Sequence, residues 1–418
     1  MKIVITTPVY YPQINGVAVF SHNLARGLSS RGHEVLVITP SQTGIRHVSK
    51  SSGVKVAYLD ATKLHVYPDQ IHAVPKKKKL LYKHSLRASV MPGRQMRKIL
   101  AEFQPDVIHV QGSDPIGVAA SRYAKKHGIP LVMTEHNQPE VLTESLPLPG
   151  VLKRPANKVL SSYFRKRLAR ADFMTMPTEL AFGHLFKTKE IEIPFEAISN
   201  GVDLTAFKPG EAPDALYRKY DISRGVPIVL YVGRLDPEKR VSVVLEAFRD
   251  FLQKCDNNKL DSLSKTLFVV AGDGVDKNHL AKEALKMGLD SQVKFLGRVT
   301  GEDLYNIYRM GDIFVTASEI ETQGIVLIEA AATGLPLIAV DAGAVSEVCR
   351  DGVNGYLLKP GDASGISEAM FKLLSDPRLL GQMSKNSIEI ASEHSFAKTL
   401  DRFIEIYDNL CKKGLKTK

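Results

Sequence analysis

Residues Pro227–Leu252 read PIVLYVGRLDPEKRVSVVLEAFRDFL. The opening PIVLYV is a continuous apolar run of strand length, GRLDPEKR is a loop that starts on a glycine, and VSVVLEAFRDFL is a helix. The next strand follows in TLFVVAGDG, Thr266–Gly274. The chain begins in the same order: KIVITT (Lys2–Thr7) is a strand and YYPQING (Tyr10–Gly16) a loop. Val17–Ser30 then places Val17, Phe20, Leu24 and Leu28 at helical spacing, and HEVLVITP (His33–Pro40) is a second buried strand. Further strands are expected at DVIHV, PLVMTEH, FMTMP, FEAIS, VKFLG, IFVTA and LPLIAV. Nearly continuous aliphatic strands alternating with helices indicate parallel sheets covered on both faces. The expected fold is therefore α/β, with two doubly wound, Rossmann-like parallel-sheet domains and a cleft between them. The expected division is 1–198 and 199–394, with helix 395–418 completing the first domain.

In such sheets ligands bind beyond the carboxyl ends of the strands. The informative loops are thus 12–16, 111–115 and 135–137 in the first half, and 233–240, 272–274, 297–300 and 318–324 in the second. At 418 residues the chain exceeds the size at which one core keeps growing, so two domains also suit its length. No run is apolar and long enough to span a bilayer, and Pro8 and Pro12 end the first apolar run too early for a signal peptide. Three dispersed cysteines, Cys255, Cys349 and Cys411, argue against a disulfide framework or a zinc site and suit a reducing cytoplasm.

The net charge of +11 is unevenly distributed. Residues 1–200 hold 28 Lys and Arg against 14 Asp and Glu, whereas residues 201–418 hold 28 against 31. Two acid-free stretches stand out. Gln70–Ala101 carries Lys76, Lys77, Lys78, Lys79, Lys83 and Arg87 among its cations, and Ser145–Ala171 carries Lys153, Arg154, Lys158, Arg165, Lys166, Arg167 and Arg170. Both imply an anionic partner. The absence of Trp and of interleaved aromatic platforms argues against single-stranded nucleic acid as that partner.

Several stretches carry chemistry. In VGRLDPEKR, Arg234 and Lys239 follow a strand end and precede a helix start, where unpaired amides favour a diphosphate; the alternative is a solvated, charged helix start. Gly16 opens a helix and allows close backbone approach to a phosphate. In SEIETQGIVLIEA (Ser318–Ala330), Glu321 and Glu329 flank Gly324. Taken alone, that pair reads either as a glycosidase-like acid and base or as the start of a helix anchored by Ile325, Val326 and Ile328. His136, in TEHN, stands at a strand end among polar residues, whereas His109 lies within an apolar run and is assigned to core packing. Neither G-x-G-x-x-G nor G-x-x-x-x-G-K-[ST] occurs, which removes support for an NAD fingerprint or a P-loop. Asp-x-Asp is absent too, so the simplest carboxylate pair for a metal is missing and no metal is expected.

Taken together, the Gly16 loop, NGVDLTAFKP (Asn200–Pro209), VGRLDPEKR, AGDG, FLGRV and ETQGIVLIEAAATGLPLIA resemble the retaining, GT-B-fold family-4 glycosyltransferases over essentially the whole chain. The resemblance implies a hexosyltransferase that takes a nucleotide-diphosphate sugar as co-substrate and needs no further cofactor. It implies that Glu321 faces the donor sugar, that Glu329 holds the ribose hydroxyls, and that Gly324 and Ile325 offer amides to sugar and diphosphate. Arg234 and Lys239 match the diphosphate cations, Val299 and its neighbours the base contact, and His136 a sugar contact from the first domain; Gly272 falls in the donor loop AGDG. Where many relatives have Phe before the motif glycine, this chain has Gln323, as in the diacylglycerol glucosyltransferase subgroup. That variant and the basic N-terminal half imply a lipid acceptor, a UDP-linked glucose donor and a cytoplasmic enzyme at the inner face of the cell membrane. A GDP-mannose-dependent transferase acting on phosphatidylinositol or a carbohydrate acceptor is the sibling reading. A nucleotide-sugar epimerase or hydrolase, or a nucleic-acid-binding protein, would be a different class.

Overall fold

The computed structural model describes residues 1–11, 13, 15–51, 53–63, 87–136, 143, 149–185 and 192–416. The chain forms two compact units, Met1–Asn200 with Ala397–Lys418, and Gly201–Phe396. Lys76, Lys77, Lys78, Lys79 and Lys83 lie outside the described residues. Arg87 is half-buried and donates through Nη1 to the Ala61 carbonyl at 3.2 Å.

The first unit is built on an eight-stranded sheet in the order Phe195–Ala197, Phe173–Met176, Leu131–Thr134, Val107–Gln111, Lys2–Thr6, Glu34–Pro40, Val54–Leu59, His47–Ser51. Every pairing is parallel except the last, where His47–Ser51 runs antiparallel to Val54–Leu59. The central strands are buried along their whole length, because helices cover both faces. Lys2–Thr6 pairs with Glu34–Pro40 on one side and Val107–Gln111 on the other. The chain order reverses there, so the loops after Thr6 and Gln111 splay apart at the switch point. Asn15 begins the first helix, Gly16–Ser30, by accepting a hydrogen bond from the Ala18 amide at 2.8 Å.

Helix Phe396–Lys416 returns to this unit. Its Leu400, Phe403, Ile406 and Tyr407 share a core with Ile3, Val35 and Val54 from the sheet. Arg402 grips Glu196 in a fork, at 2.9 Å from Nε to Oε1 and 2.6 Å from Nη2 to Oε2, and Arg31 meets Asp401 at 2.5 Å.

The second unit is an all-parallel, six-stranded sheet in the order Val293–Gly297, Leu267–Ala271, Ile228–Val232, Ile313–Val315, Leu337–Val340, Gly355–Leu358. Its switch point falls between Ile228–Val232 and Ile313–Val315, paired as Val229 with Ile313 and Leu230 with Phe314. The topology therefore brings GRLDPEKR and SEIETQG side by side, although about 80 residues of chain separate them.

Candidate active site

The loops after the strands of the second unit lie backbone against backbone. The amide of Gly233 donates to Ala271 at 3.1 Å, that of Leu235 to Asp273 at 3.1 Å, and that of Gly272 to Gly297 at 2.9 Å. Gly272 and Gly274 make this possible: a Cβ at Gly272 would stand 1.8 Å from the Gly233 carbonyl oxygen, and one at Gly274 would stand 2.2 Å from that of Leu235. This explains AGDG as a close-approach motif. Val299, one loop further on, is half-buried against the core beneath.

Lys239 closes the short helix Pro237–Lys239 and reaches across the switch point. Its Nζ donates to Glu321 Oε1 at 2.6 Å, to Ser318 Oγ at 3.3 Å and to the Ile320 carbonyl at 3.4 Å. Both members of the ion pair are only 15% exposed, so the contact is poorly screened. Its neighbour Arg240 adopts a left-handed φ of 50° and turns instead to Glu319 at 3.2 Å. Adjacent cations thus serve adjacent acids. Arg234 lies at the other end of the loop, more than half exposed, and pairs with Asp236 and with Glu238 at 2.9 Å. The backbone of Glu321 is fixed from behind, because its carbonyl accepts from the Ala344 amide at 3.2 Å beneath Gly343, whose φ is +56°.

Gly324, in the left-handed region at φ 73°, turns the chain into helix Ile325–Ala332 and, as a glycine at the N-cap position, brings no capping side chain of its own. The first amides, at Ile325 and Val326, point out of the helix end and bring the positive pole of its dipole with them. Glu329 sits one turn inside, half-buried, and accepts from the buried Tyr308 hydroxyl at 2.6 Å. Burial raises its carboxyl to about 7, against the opposing pull of the Tyr308 hydrogen bond. Nothing in the spacing of the two residues signals this pair; it arises because the helix carrying Tyr308 precedes the strand whose outgoing loop leads to Glu329. Gln323 is buried at 3% exposure.

The shift gives a test. A carboxyl whose folded pKa is raised binds more protons folded than unfolded, so its contribution to stability is present below about 4.5 and is lost as pH rises through about 7. Glu329→Gln keeps an acceptor for Tyr308 and carries no charge. The variant is expected to be about 1–3 kcal/mol more stable than the parent above pH 7, a gain that vanishes below about pH 4.5. Thermal melts over that range check it, and a pH-independent difference would contradict the assignment.

In the first unit His136 is buried at 8% exposure, edge-on to Phe20 with ring centroids 5.2 Å apart. Its Nε2 donates to Gln111 Oε1 at 2.7 Å, and burial lowers its pKa to about 4, so the ring is neutral and Nδ1 is left as an acceptor. The hydrogen bonds continue inward. Gln111 Nε2 donates to His109 Nε2 at 3.1 Å, and His109 Nδ1 donates to the Tyr407 hydroxyl at 2.6 Å. His109 is fully buried as a core residue, and burial holds it neutral with a pKa of about 3. Gly16 is exposed at its helix start. Among the described residues no group of three or more His, Cys, Asp or Glu side chains gathers into a metal site.

Two family descriptions match this chain, "Glycosyltransferase Family 4" over residues 14–206 and "Glycosyl transferases group 1" over residues 213–390. The chain belongs to the family-4 glycosyltransferases. This hexosyltransferase is 26% identical to the alpha-monoglucosyldiacylglycerol synthase of Acholeplasma laidlawii, with 98% of this chain and 96% of that one covered. It is 29% identical to a GDP-mannose-dependent alpha-mannosyltransferase of Mycolicibacterium smegmatis, over 93% of this chain and 92% of that one. Among solved structures, the sucrose-phosphate synthase of Thermosynechococcus elongatus superposes with a TM-score of 0.75 at 19% identity, covering 98% of each chain. An Anabaena protein in complex with UDP-glucose superposes at 0.67 and 18% identity, covering 98% of this chain and 100% of that one. These likenesses establish the glycosyltransferase's GT-B fold.

Proposed function

We propose that the enzyme moves a hexose, glucose, from a UDP-linked donor to a membrane lipid such as diacylglycerol, with retention at the anomeric carbon. The observation that carries this reading is the glycine-opened start of helix Ile325–Ala332 near Lys239 and between two carboxylates, together with an alpha-monoglucosyldiacylglycerol synthase relative that matches nearly end to end. The amides at Ile325 and Val326, Lys239 and Arg234 take up the charge that develops on the departing diphosphate. Glu321 orients the sugar hydroxyls and Glu329 the ribose hydroxyls, while His136 offers Nδ1 as an acceptor to a sugar hydroxyl. In front-face attack the acceptor oxygen bonds to the anomeric carbon as the bond to the diphosphate breaks on the same face, and the acceptor's proton passes to a diphosphate oxygen. Glu321 is held by Lys239 as a hydroxyl binder, and in this route it forms no glycosyl adduct.

The test is a screen of radiolabelled UDP-glucose, UDP-galactose and GDP-mannose against diacylglycerol, phosphatidylinositol and no acceptor. Glucosyl-diacylglycerol with an α linkage by proton NMR is the expected product. Mannosyl-phosphatidylinositol would establish the sibling reading instead, and free sugar without acceptor would make the protein a hydrolase. A glycosyl adduct on Glu321, trapped with a fluorosugar, would replace front-face attack by double displacement.

A further inference from the structure

Helix Gly150–Leu168 belongs to the first unit and buries only Phe164 and Leu168 of its nineteen residues. Its outward side is not the charged surface expected of a solvated helix. Val151 is 83% exposed, Val159 70%, Leu152 49% and Tyr163 39%. With Pro155, also exposed, Val151, Val159 and Tyr163 recur at intervals of four, so they stack into one ridge along the helix. Exposed cations accompany the ridge, Arg154 and Lys158 along one flank and Lys166 within the same face. No acid occurs anywhere from Ser145 to Ala171. The C-terminal half is anchored: the Tyr163 hydroxyl donates to the Ser113 carbonyl at 3.2 Å, and the Arg167 guanidinium lies 4.9 Å from the Tyr163 ring centre. The ridge is therefore fixed to the sheet.

Single exposed apolar side chains are ordinary, but an aligned row of them marks a docking surface. The chemistry of its surroundings selects the partner. Cations without a single interspersed acid fit a polyanion; the one aromatic ring of the ridge, Tyr163, is already engaged by Ser113 and Arg167, and the rest of the row is aliphatic, without the stacking platforms a nucleic acid uses. An anionic bilayer satisfies both features at once. The aliphatic groups enter the boundary between headgroups and acyl chains, while Arg154, Lys158 and Lys166 reach lipid phosphates. We propose that the outward face of helix Gly150–Leu168 is the surface by which this protein lies on anionic membranes. The idea extends the reading that the acceptor is a membrane lipid, but its test is separate.

Flotation of the full-length chain with phosphatidylcholine vesicles, with and without phosphatidylglycerol, provides that test. The parent protein should float only with the anionic vesicles, and less as salt rises. V151S/V159S should bind about tenfold to a hundredfold more weakly, and R154A/K158A about twentyfold more weakly with a shallower salt dependence. All four positions are surface positions, so the melting temperature should stay that of the parent. Transfer to diacylglycerol presented in detergent micelles is measured on the same variants. Lost vesicle binding with intact micellar transfer supports the proposal, and so does lost vesicle binding in the variants when even the parent transfers nothing, although the lipid-acceptor reading would then fail. Affinities within about twofold of the parent for both variants would overturn it. So would equal binding to neutral vesicles, or a Lys76–Lys79→Ala variant that abolishes flotation while V151S/V159S floats normally. RNA binding that the same variants remove, in a protein that ignores vesicles, would overturn it in favour of a nucleic acid.

Discussion

Lys239→Ala is expected to lower turnover by about 10²–10³-fold, the usual cost of deleting one preorganised group that faces developing charge. The lysine has three partners on the neighbouring loop, Glu321, Ser318 and the Ile320 carbonyl, so its ammonium is held in place before any donor arrives. Because both side chains of the ion pair are 15% exposed, deletion also leaves the Glu321 carboxylate with little solvent to compensate it, at about 1–3 kcal/mol of stability. The two effects separate by experiment. If Lys239 acts on the leaving diphosphate, kcat falls far more than the donor KM rises, and Lys239→Ala/Glu321→Gln regains stability without regaining turnover. Steady-state kinetics and denaturant unfolding on the same three proteins provide the check. Turnover of Lys239→Ala within about threefold of the parent would reduce the lysine to a structural clamp.

Gly272→Ala is expected to cost about 3–5 kcal/mol of unfolding free energy, or to prevent folding of the second unit altogether. The new methyl group would lie 1.8 Å from the Gly233 carbonyl oxygen, and that oxygen belongs to backbone already fixed by the Gly233 and Leu235 hydrogen bonds. Neither side can retreat without breaking the paired loops that carry Arg234 and Lys239. Gly288→Ala is the matched control, since its φ of +72° demands a glycine but a Cβ there meets nothing within 4 Å. That variant should lose only about 1 kcal/mol, the cost of a left-handed alanine. Chemical denaturation midpoints compare them. Losses equal to that of the control would mean that crowding against the Gly233 carbonyl does not explain the glycine at 272.

Although Val54–Leu59 and Gly355–Leu358 were not among the expected strands, most strands of the two doubly wound sheets were legible, because they are largely apolar runs that leave little room for a helical reading. The edge strand His47–Ser51 was not: HVSKS offers one aliphatic residue, Val48, and that side chain is 62% exposed. It pairs because Val54–Leu59 presents an open edge, a condition set by tertiary structure. In the candidate site, residue types and strand-end positions could be read along the chain, but pairings could not. Lys239 meets Glu321 across 82 positions, and Tyr308 meets Glu329 across 21, because sheet order brings their loops together. The division of labour between Lys239 and Arg240 rests on the left-handed backbone at Arg240, for which an arginine gives no local signal. Likewise, the row Val151, Pro155, Val159, Tyr163 has the same period whether it faces a core or the outside; only the neighbouring elements distinguish the two.

The return of helix Phe396–Lys416 to the first unit imposes an order on biosynthesis. Ile3, Val35 and Val54 are made early, yet the Phe403 and Tyr407 that seal them leave the ribosome only after the entire Gly201–Phe396 unit. At about 5–20 residues per second, roughly 10–40 s pass with that apolar face open. During this interval the N-terminal half is a nascent chain with an unfinished core, exposed to chaperones and proteases. All strands of the first unit lie within residues 2–197, so its sheet can form early, but its core is sealed only after the second unit has been made, and the half synthesised earlier is the last to become native.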